Sequence, residues 1–206
     1  MTGPGDTNGG RAVPRPLVWA LGASVLALLG LLAALLWPLL TNKIADDFGR
    51  GDYRLETTLG GEFSQAALKG QASAVFFGFT HCPDVCPTTL GEMTVWQDAL
   101  GEQAKDLRIF FVTVDPERDT LDQLRDYVGW LPNAAGVSGP RSEIDKAIAA
   151  FHIYARKVPT SDGSYTMDHS AYVLLFDANG HFFEPIGYQE DPERAVEKIR
   201  RMLKGT

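Results

Sequence analysis

The chain has 206 residues, of which 45% are hydrophobic, and it carries a formal net charge of −7 and two cysteines. This hydrophobic fraction is typical of a globular chain and excludes wholesale disorder. The acidic charge argues against nucleic acid as a partner, because binding a phosphate backbone requires a basic face. Two cysteines are too few for a disulfide-rich scaffold or a four-thiolate zinc site, so they act as one pair.

An uncharged, mainly apolar segment dominates the N-terminal part of the chain, from Leu17 to Leu40. Its about 24 residues, at about 1.5 Å per residue, are long enough to cross the ~30 Å core of a bilayer. Trp19 and Trp37 lie near its two ends, where interfacial aromatic residues are favoured. A cleaved signal peptide has a shorter apolar core and a small-residue cleavage site. The pattern therefore predicts an uncleaved transmembrane anchor, with a cleaved signal as the alternative.

The charges that flank this segment indicate its orientation. Arg11 and Arg15 precede it and only Asp6 opposes them, so the N-terminal side is expected to stay in the cytoplasm. The short lead lacks the length and the arginine-rich, acid-poor character of a mitochondrial transit peptide, which favours a bacterial inner membrane with the following domain in the periplasm. The predicted organisation is a cytoplasmic lead over residues 1–16, the anchor over 17–40, a tether over 41–52 and one exported domain over 53–206.

Beyond the tether, apolar runs alternate with segments of helical periodicity, which is typical of an α/β domain. Continuous apolar runs predict strands that are buried on both faces, and turn residues after the last run predict a hairpin. The predicted strands are Val75–Phe79, Leu107–Val114, Ala171–Phe176 and His181–Glu184, preceded by a hairpin over Leu55–Phe63.

Four apolar stripes predict helices between and after these strands. Asp191 and Pro192 have the residue types of an N-cap and a first-turn proline, and they open the last predicted helix. The stripes are Leu90–Met93–Trp96–Leu100, Leu121–Leu124–Val128, Ile144–Ile148–Phe151 and Val196–Ile199–Leu203.

Cys82 and Cys86 lie where the first buried strand ends and a helix begins. Pro87 suits the first helical turn, and because a residue before proline avoids the helical region, Cys86 is predicted to be the cap residue. The positive end of a helix stabilises anions, so thiolate character is favoured at both sulfurs. The alternatives are a structural disulfide, or two buried side chains that only pack.

Two thiolates are soft ligands that select Cu(I), or zinc, and a stable site needs a third ligand. The backbone direction points His81 away from the pair, whereas His152 and His181 have the character of ordinary surface or core residues. His169 precedes the third predicted core strand and follows a polar loop, Pro159–Tyr165, of the kind that often carries functional side chains. It is the best candidate among the four histidines, although the residues alone do not select it strongly.

Three sequence blocks resemble the Sco/SenC family of copper-binding proteins and occur in the family's order and spacing. They are Gly78–Pro87 (GFTHCPDVCP), Val114–Thr120 (VDPERDT) and Asp168–Ser170 (DHS). The resemblance extends from about Asp52 to the C-terminus, and the predicted anchor also fits the family's architecture. One departure is Leu121, which stands where a proline commonly follows the second block, but Thr120 can still cap the helix that follows.

The resemblance implies a thioredoxin-like fold, with the cysteine pair in the place of thioredoxin's active-site pair. It also implies that Cys82, Cys86 and His169 ligate copper, as both Cu(I) and Cu(II). The family is linked to assembly of the binuclear copper centre of cytochrome c oxidase subunit II.

Several acidic residues are candidates for supporting this site. Asp84 and Asp168 adjoin the ligands and would add negative potential toward a copper cation; turn chemistry and capping are the alternative reading. Asp115 and Arg118 are predicted either to form a buried ion pair that supports the site or to belong to a plain turn.

The leading hypothesis is a membrane-anchored copper metallochaperone for subunit II, which is not an enzyme in the turnover sense. The alternative is a thiol–disulfide reductase that uses Cys82 and Cys86 as a redox-active disulfide to keep the cysteines of subunit II reduced. A peroxidase-like or redox-signalling role is a weaker third reading. Another periplasmic copper chaperone, or a thioredoxin-like reductant, is a further expected partner.

Overall fold

The computed structural model describes residues 26–37 and 47–205, which belong to two compact units of the chain. In the first unit, residues 26–37 form a helix, α1, with exposed side chains. Within these described ranges, no helix has both the length and the apolar character needed to cross a membrane. The predicted lead, and residues 17–25 and 38–40 of the predicted anchor, lie outside the described residues.

The second unit is built on a mixed seven-stranded sheet in the order β2-β1-β5-β4-β3-β8-β9. Strands β3, β4 and β5 are parallel, whereas the remaining pairings in this sheet are antiparallel. Every residue of β3 and β8 is buried, as their continuous apolar sequences predict. A separate two-stranded sheet pairs β6 with β7. The strands are β1 Leu55–Thr57, β2 Glu62–Phe63, β3 Ala72–Gly78, β4 Leu107–Thr113, β5 Ala134–Ser138, β6 Ala155–Pro159, β7 Tyr165–His169, β8 Val173–Phe176 and β9 Phe182–Ile186.

Four α-helices of this unit confirm the predicted apolar stripes. Thr120 caps the second of them through a reciprocal capping box with Gln123, so the missing family proline does not disturb its start. Asp191 accepts hydrogen bonds from two backbone N–H groups of the last helix, with Pro192 in its first turn. The helices are α2 Val85–Leu100, α3 Leu121–Val128, α4 Arg141–Ala150 and α5 Pro192–Lys204, with 3₁₀ helices at Gln65–Leu68 and Gly101–Asp106.

The order of the elements brings two distant segments to one edge of the sheet. The β3–α2–β4 unit and the β8–β9–α5 unit share the sheet, and α2 packs against α5, which is the thioredoxin-like arrangement. Because β3 and β8 are antiparallel neighbours, with Phe76 opposite Val173, the C-terminal end of β3 lies beside the N-terminal end of β8. The cysteine pair follows β3 and His169 precedes β8, so the topology places them at the same edge.

The structure adds three strands that the sequence pattern did not predict. Strand β5 has the sequence AAGVS, in which Val137 is the one β-branched residue and no residue is aromatic, so its strand signal is weak. Strands β6 and β7 form a partly exposed hairpin, so they have no continuous apolar run. The predicted polar loop is the turn of this hairpin, flanked by Pro159 and Tyr165.

Part of the segment predicted as a tether packs against the domain. The Phe48 ring stacks on Phe182 with ring centroids 4.4 Å apart. The N–H of Gly49 donates to the carbonyl of Ala150 at 2.9 Å. The ordered contacts of the domain therefore begin a few residues before the predicted boundary at Tyr53, whereas residues 41–46 lie outside the described part of the chain.

Candidate metal centre

The cysteine pair occupies the junction between β3 and α2. The helix begins at Val85 with Asp84 as its N-cap, so the prediction that Cys86 is the cap residue is wrong. Proline at residue 87 disfavours a helical conformation at Cys86 but does not forbid it, and its missing N–H has no helical acceptor in the first turn. Cys86 therefore lies inside the first turn, with its sulfur in the core.

The two sulfurs differ in their surroundings. Neither cysteine is in a disulfide; Cys82 is half-buried, whereas Cys86 has no exposed surface. The backbone N–H of Cys86 donates to the Cys82 Sγ atom at 3.3 Å. On the other side, a Cβ atom on Gly78 would lie 2.8 Å from the Cys86 Sγ atom. Glycine at this position therefore lets β3 approach the buried sulfur.

These surroundings split the pKa values of the pair. Hydrogen bonding from the Cys86 thiol, together with backbone N–H groups, lowers the pKa of Cys82 to about 4 although partial burial opposes this. The pKa of Cys86 is raised, because its thiol hydrogen-bonds to Cys82 and is itself buried. Cys82 is therefore the more acidic thiol of the pair, and the predicted thiolate character is favoured at its sulfur rather than at that of Cys86.

His169 is the last residue of β7 and faces the buried sulfur. Its Nε2 atom lies 3.5 Å from the Cys86 Sγ atom. Its Nδ1 atom lies 2.9 Å from the carbonyl oxygen of Ser170, which assigns the ring proton to Nδ1 and leaves the Nε2 lone pair for a ligand role. The Phe79 ring packs edge-on against the imidazole with centroids 5.7 Å apart. The third candidate ligand is thus oriented by its neighbours.

Cys82, Cys86 and His169 offer ligand atoms that all lie within 4.8 Å of one another. Among the residues that the structure describes, these three side chains are close enough together to hold a metal ion. Two sulfurs and one imidazole nitrogen form a soft donor set that suits copper better than a hard cation. The residues present therefore fit a copper ion.

The other three histidines make contacts elsewhere. His81 lies with its Nδ1 atom 3.7 Å from Asp119, and His152 packs its ring against Phe48 at 4.8 Å. The His181 Nδ1 atom is 3.6 Å from a carboxylate oxygen of its neighbour in the β8–β9 turn, Asp177.

The acidic residues singled out in the sequence have different surroundings. Asp84 is exposed and accepts a hydrogen bond from Thr88 at 3.3 Å. Asp168 is exposed and pairs with Arg156 at 3.4 Å. Asp115 is fully buried and pairs with Arg118, so the predicted buried ion pair is present.

One buried acidic residue near the cysteine pair was not predicted from the sequence. Asp119 has no exposed surface, and it accepts hydrogen bonds from the Thr80 N–H at 3.0 Å and from the Thr80 and Thr113 hydroxyls at 2.6 Å. Thr80 lies two residues before Cys82, so Asp119 holds the segment that carries the first sulfur. Its position inside the VDPERDT block was the available signal.

The sheet, its two packed helices and the Cys–Cys–His group define a thioredoxin-like protein with a soft-metal site. Within that class, the chain belongs to the SCO1/SenC family, which matches residues 42–204. This membership confirms the resemblance that the three sequence blocks carry.

Curated relatives and solved structures agree with this assignment. The chain is 34% identical over 153 residues to the SCO2-like protein RC0895 of Rickettsia conorii, covering 73% of this chain and 75% of the relative. It is 32% identical over 158 residues to the mitochondrial protein SCO1 of Saccharomyces cerevisiae, covering 75% of this chain and 54% of the relative. The copper-bound structure of Bradyrhizobium japonicum ScoI is 40% identical, with a TM-score of 0.68, over 75% of this chain and 99% of that one. The copper-bound structure of yeast Sco1 is 30% identical, with a TM-score of 0.70, and the match covers 78% of this chain and 90% of that one.

Proposed function

We propose that this protein is a copper metallochaperone that delivers copper to the binuclear copper centre of cytochrome c oxidase subunit II. The observation that carries the proposal is the convergence of the Cys82, Cys86 and His169 ligand atoms within 4.8 Å of one another. The copper-bound relatives support the choice of metal, since they share the fold and the family. Copper is the cargo in this proposal, and the protein is not an enzyme.

The arrangement suits transfer as well as binding. Three protein donors leave room for an incoming ligand, and Cys82 and His169 are both partly exposed. A donor from the acceptor protein can therefore approach from the solvent side while the buried Cys86 still holds the ion. The two sulfurs favour Cu(I), and the imidazole extends the donor set toward Cu(II).

The test of binding is a copper titration of the detergent-solubilised full chain, in competition with a chelator of known affinity. Separate Cys82→Ala, Cys86→Ala and His169→Ala variants should each bind copper more weakly than the wild type. The loss of copper affinity in each variant should exceed the factor of about 10–100 that is typical of removing a residue that hydrogen-bonds to a metal ligand. If all three variants still bound one copper ion as tightly as the wild type, this site would not be the copper site.

The test of delivery is metal analysis of the oxidase in a deletion strain. Copper in the subunit II centre should fall in the deletion strain, return with the wild-type gene and not return with the His169→Ala gene. Normal copper content in the deletion strain would contradict delivery by this protein.

The proposed location is the bacterial inner membrane, with a single N-terminal anchor and the domain in the periplasm. The uncharged segment over residues 17–40 and the basic residues before it support this orientation. The protein should resist alkaline extraction from membranes, and intact spheroplasts should expose Cys82 to a membrane-impermeant thiol reagent. Release by alkali, or labelling only after lysis, would contradict this location.

A second candidate is reduction of disulfides in subunit II, which the split pKa values of the pair favour. The Cys82 thiolate would attack one sulfur of the target disulfide, form a mixed disulfide and release the other target sulfur as a thiolate. Cys86 would then give up its proton and attack Cys82, which frees the reduced target and leaves a Cys82–Cys86 disulfide. A thioredoxin-like reductant must supply the two electrons that restore the pair.

His169 separates the two candidates, because thiol–disulfide exchange needs no imidazole ligand. A His169→Ala protein that reduces a model disulfide normally but fails to restore oxidase copper supports copper delivery. A His169→Ala protein that restores it fully supports the reductase.

A further inference from the structure

The turn Asp115–Asp119, between β4 and α3, contacts both segments that carry the candidate ligands. At its C-terminal end, the buried Asp119 accepts hydrogen bonds from the N–H and the hydroxyl of Thr80. Cys82 follows two residues after Thr80, and its backbone N–H donates to the carbonyl of Phe79 at 3.2 Å. One end of the turn therefore holds the cysteine segment.

At its N-terminal end, the same turn holds the β6–β7 hairpin through Tyr165. The Tyr165 hydroxyl donates to the Asp115 carboxylate at 2.9 Å. The Arg118 Nη1 group donates to the Tyr165 carbonyl at 3.0 Å, and its guanidinium lies 3.8 Å from the centroid of the Tyr165 ring. Lys157 approaches the same ring, with its Nζ atom 4.6 Å from the centroid. Two hydrogen bonds and two cation–π contacts thus converge on Tyr165.

Tyr165 and His169 are linked by the geometry of the strand that they share. They are the first and last residues of β7, and because side chains alternate along a strand, Tyr165, Met167 and His169 point to the same face. Met167 on this face is buried against the domain. The hairpin is a sheet of its own, so side-chain contacts, rather than pairing with the main sheet, set its orientation. A shift at Tyr165 is therefore passed along the strand to His169.

We propose that Tyr165 is a positioning residue for His169, which holds the imidazole within reach of the cysteine pair through its contacts with Asp115 and Arg118. The turn Asp115–Asp119 then sets the distance between the two halves of the site, since Asp119 holds the other half. This inference rests on the proposed copper function for its affinity readout, but the position of the hairpin can also be measured without copper.

The test is a double-mutant cycle on the full chain with copper as the probe. Tyr165→Phe keeps the ring and removes the hydroxyl, so we expect it to lower copper affinity about 10–100-fold, as for other residues that orient a ligand. In a His169→Ala background the same substitution should change affinity less than about twofold, because no imidazole remains to be positioned. Arg118→Lys, which keeps the charge but loses the Nη1 bond, should show the same dependence on His169.

A matched control removes the hydroxyl bond of a different tyrosine. The Tyr53 hydroxyl donates to the Gly49 carbonyl at 2.9 Å, and neither residue belongs to the hairpin or the turn. Tyr53→Phe should leave copper affinity unchanged. Equal losses from Tyr165→Phe with and without His169, or no loss in either, would overturn the proposal.

Hydrogen exchange of the copper-free chain gives a second readout. Tyr165→Phe should speed exchange of the β6–β7 amides, whereas Tyr53→Phe should not. Unchanged exchange in the hairpin would overturn the positioning role even if the wild type bound copper. Faster hairpin exchange in Tyr165→Phe, combined with a wild type that binds no copper, would overturn the proposed function and leave the positioning of His169 intact.

Discussion

Gly78 and Cys86 are in such close contact that any side chain at residue 78 would meet the sulfur. A Cβ atom there would lie 2.8 Å from the Cys86 Sγ atom and 2.8 Å from the Phe111 ring. We predict that Gly78→Ala lowers the free energy of unfolding by about 1–3 kcal/mol, as overpacking of a core does, and displaces Cys86 so that copper binding weakens. Chemical denaturation and copper titration measure the two effects.

Gly91 supplies the control for this substitution. It lies inside α2 and a Cβ atom there would meet nothing within 4 Å, so Gly91→Ala should stabilise the protein by about 0.5–1 kcal/mol. Equal stability of the Gly78→Ala variant and the wild type would show that the strand can move away from Cys86.

The low pKa of Cys82 predicts a characteristic pH profile for alkylation. Because the thiolate is the reactive form, the rate at Cys82 should be nearly constant between pH 6 and 9 and should fall only as pH drops toward about 4. Cys86, whose pKa is raised and whose sulfur is buried, should react far more slowly. Mass spectrometry of the alkylated peptides separates the two sites. A rate at Cys82 that rises tenfold between pH 7 and 8 would indicate an ordinary thiol.

The split pair also predicts how copper affinity depends on pH. With Cys82 already a thiolate and Cys86 still a thiol, binding to both sulfurs displaces one proton. The apparent affinity should therefore rise about tenfold per pH unit between pH 7 and 8. Two ordinary thiols, with pKa values near 8.5, would release two protons and give about a hundredfold rise. Competition titrations at several pH values distinguish these slopes.

Asp119 should be important for stability as well as for the site. Asp119→Ala leaves the Thr80 N–H, the partly buried Thr80 hydroxyl and the buried Thr113 hydroxyl without this acceptor. We expect a loss of at least about 1–3 kcal/mol in the free energy of unfolding, the cost of one unsatisfied buried donor. Asp126→Ala, at an exposed position of α3, should change it by less than about 0.5 kcal/mol. Similar unfolding curves for both variants would contradict the role of Asp119.

The exposed ion pair of Asp168 and Arg156 should contribute little to stability. Its atoms are 3.4 Å apart and both side chains are about half exposed or more. Asp168→Asn should therefore change the free energy of unfolding by less than about 1 kcal/mol. If it nevertheless weakened copper binding, negative potential at the site would be the remaining cause, whereas an unchanged affinity would leave Asp168 with a role on the hairpin surface.

Sequence periodicity was sufficient for the main elements because buried strands and amphipathic helices leave strong patterns. It predicted β3, β4, β8 and α2 to α5, and it located the cysteine pair at a strand–helix junction. It did not predict β5, whose mainly small residues carry only a weak strand signal, or the β6–β7 hairpin, which is too polar. Only the family resemblance identified His169 as a ligand, because its approach to Cys86 depends on the pairing of β3 with β8. Such long-range contacts have no local pattern.

The sequence separation of 83 residues between Cys86 and His169 has a consequence for how the protein is loaded. An unfolded chain offers a metal ion two sulfurs and no fixed imidazole, so the complete ligand set exists only after the intervening chain has folded. An ion that binds only the native form adds about 2.7 kcal/mol to its stability at a concentration of a hundred times Kd. Copper is therefore expected to bind folded molecules in preference to unfolded ones, so a molecule that retains copper is a folded one.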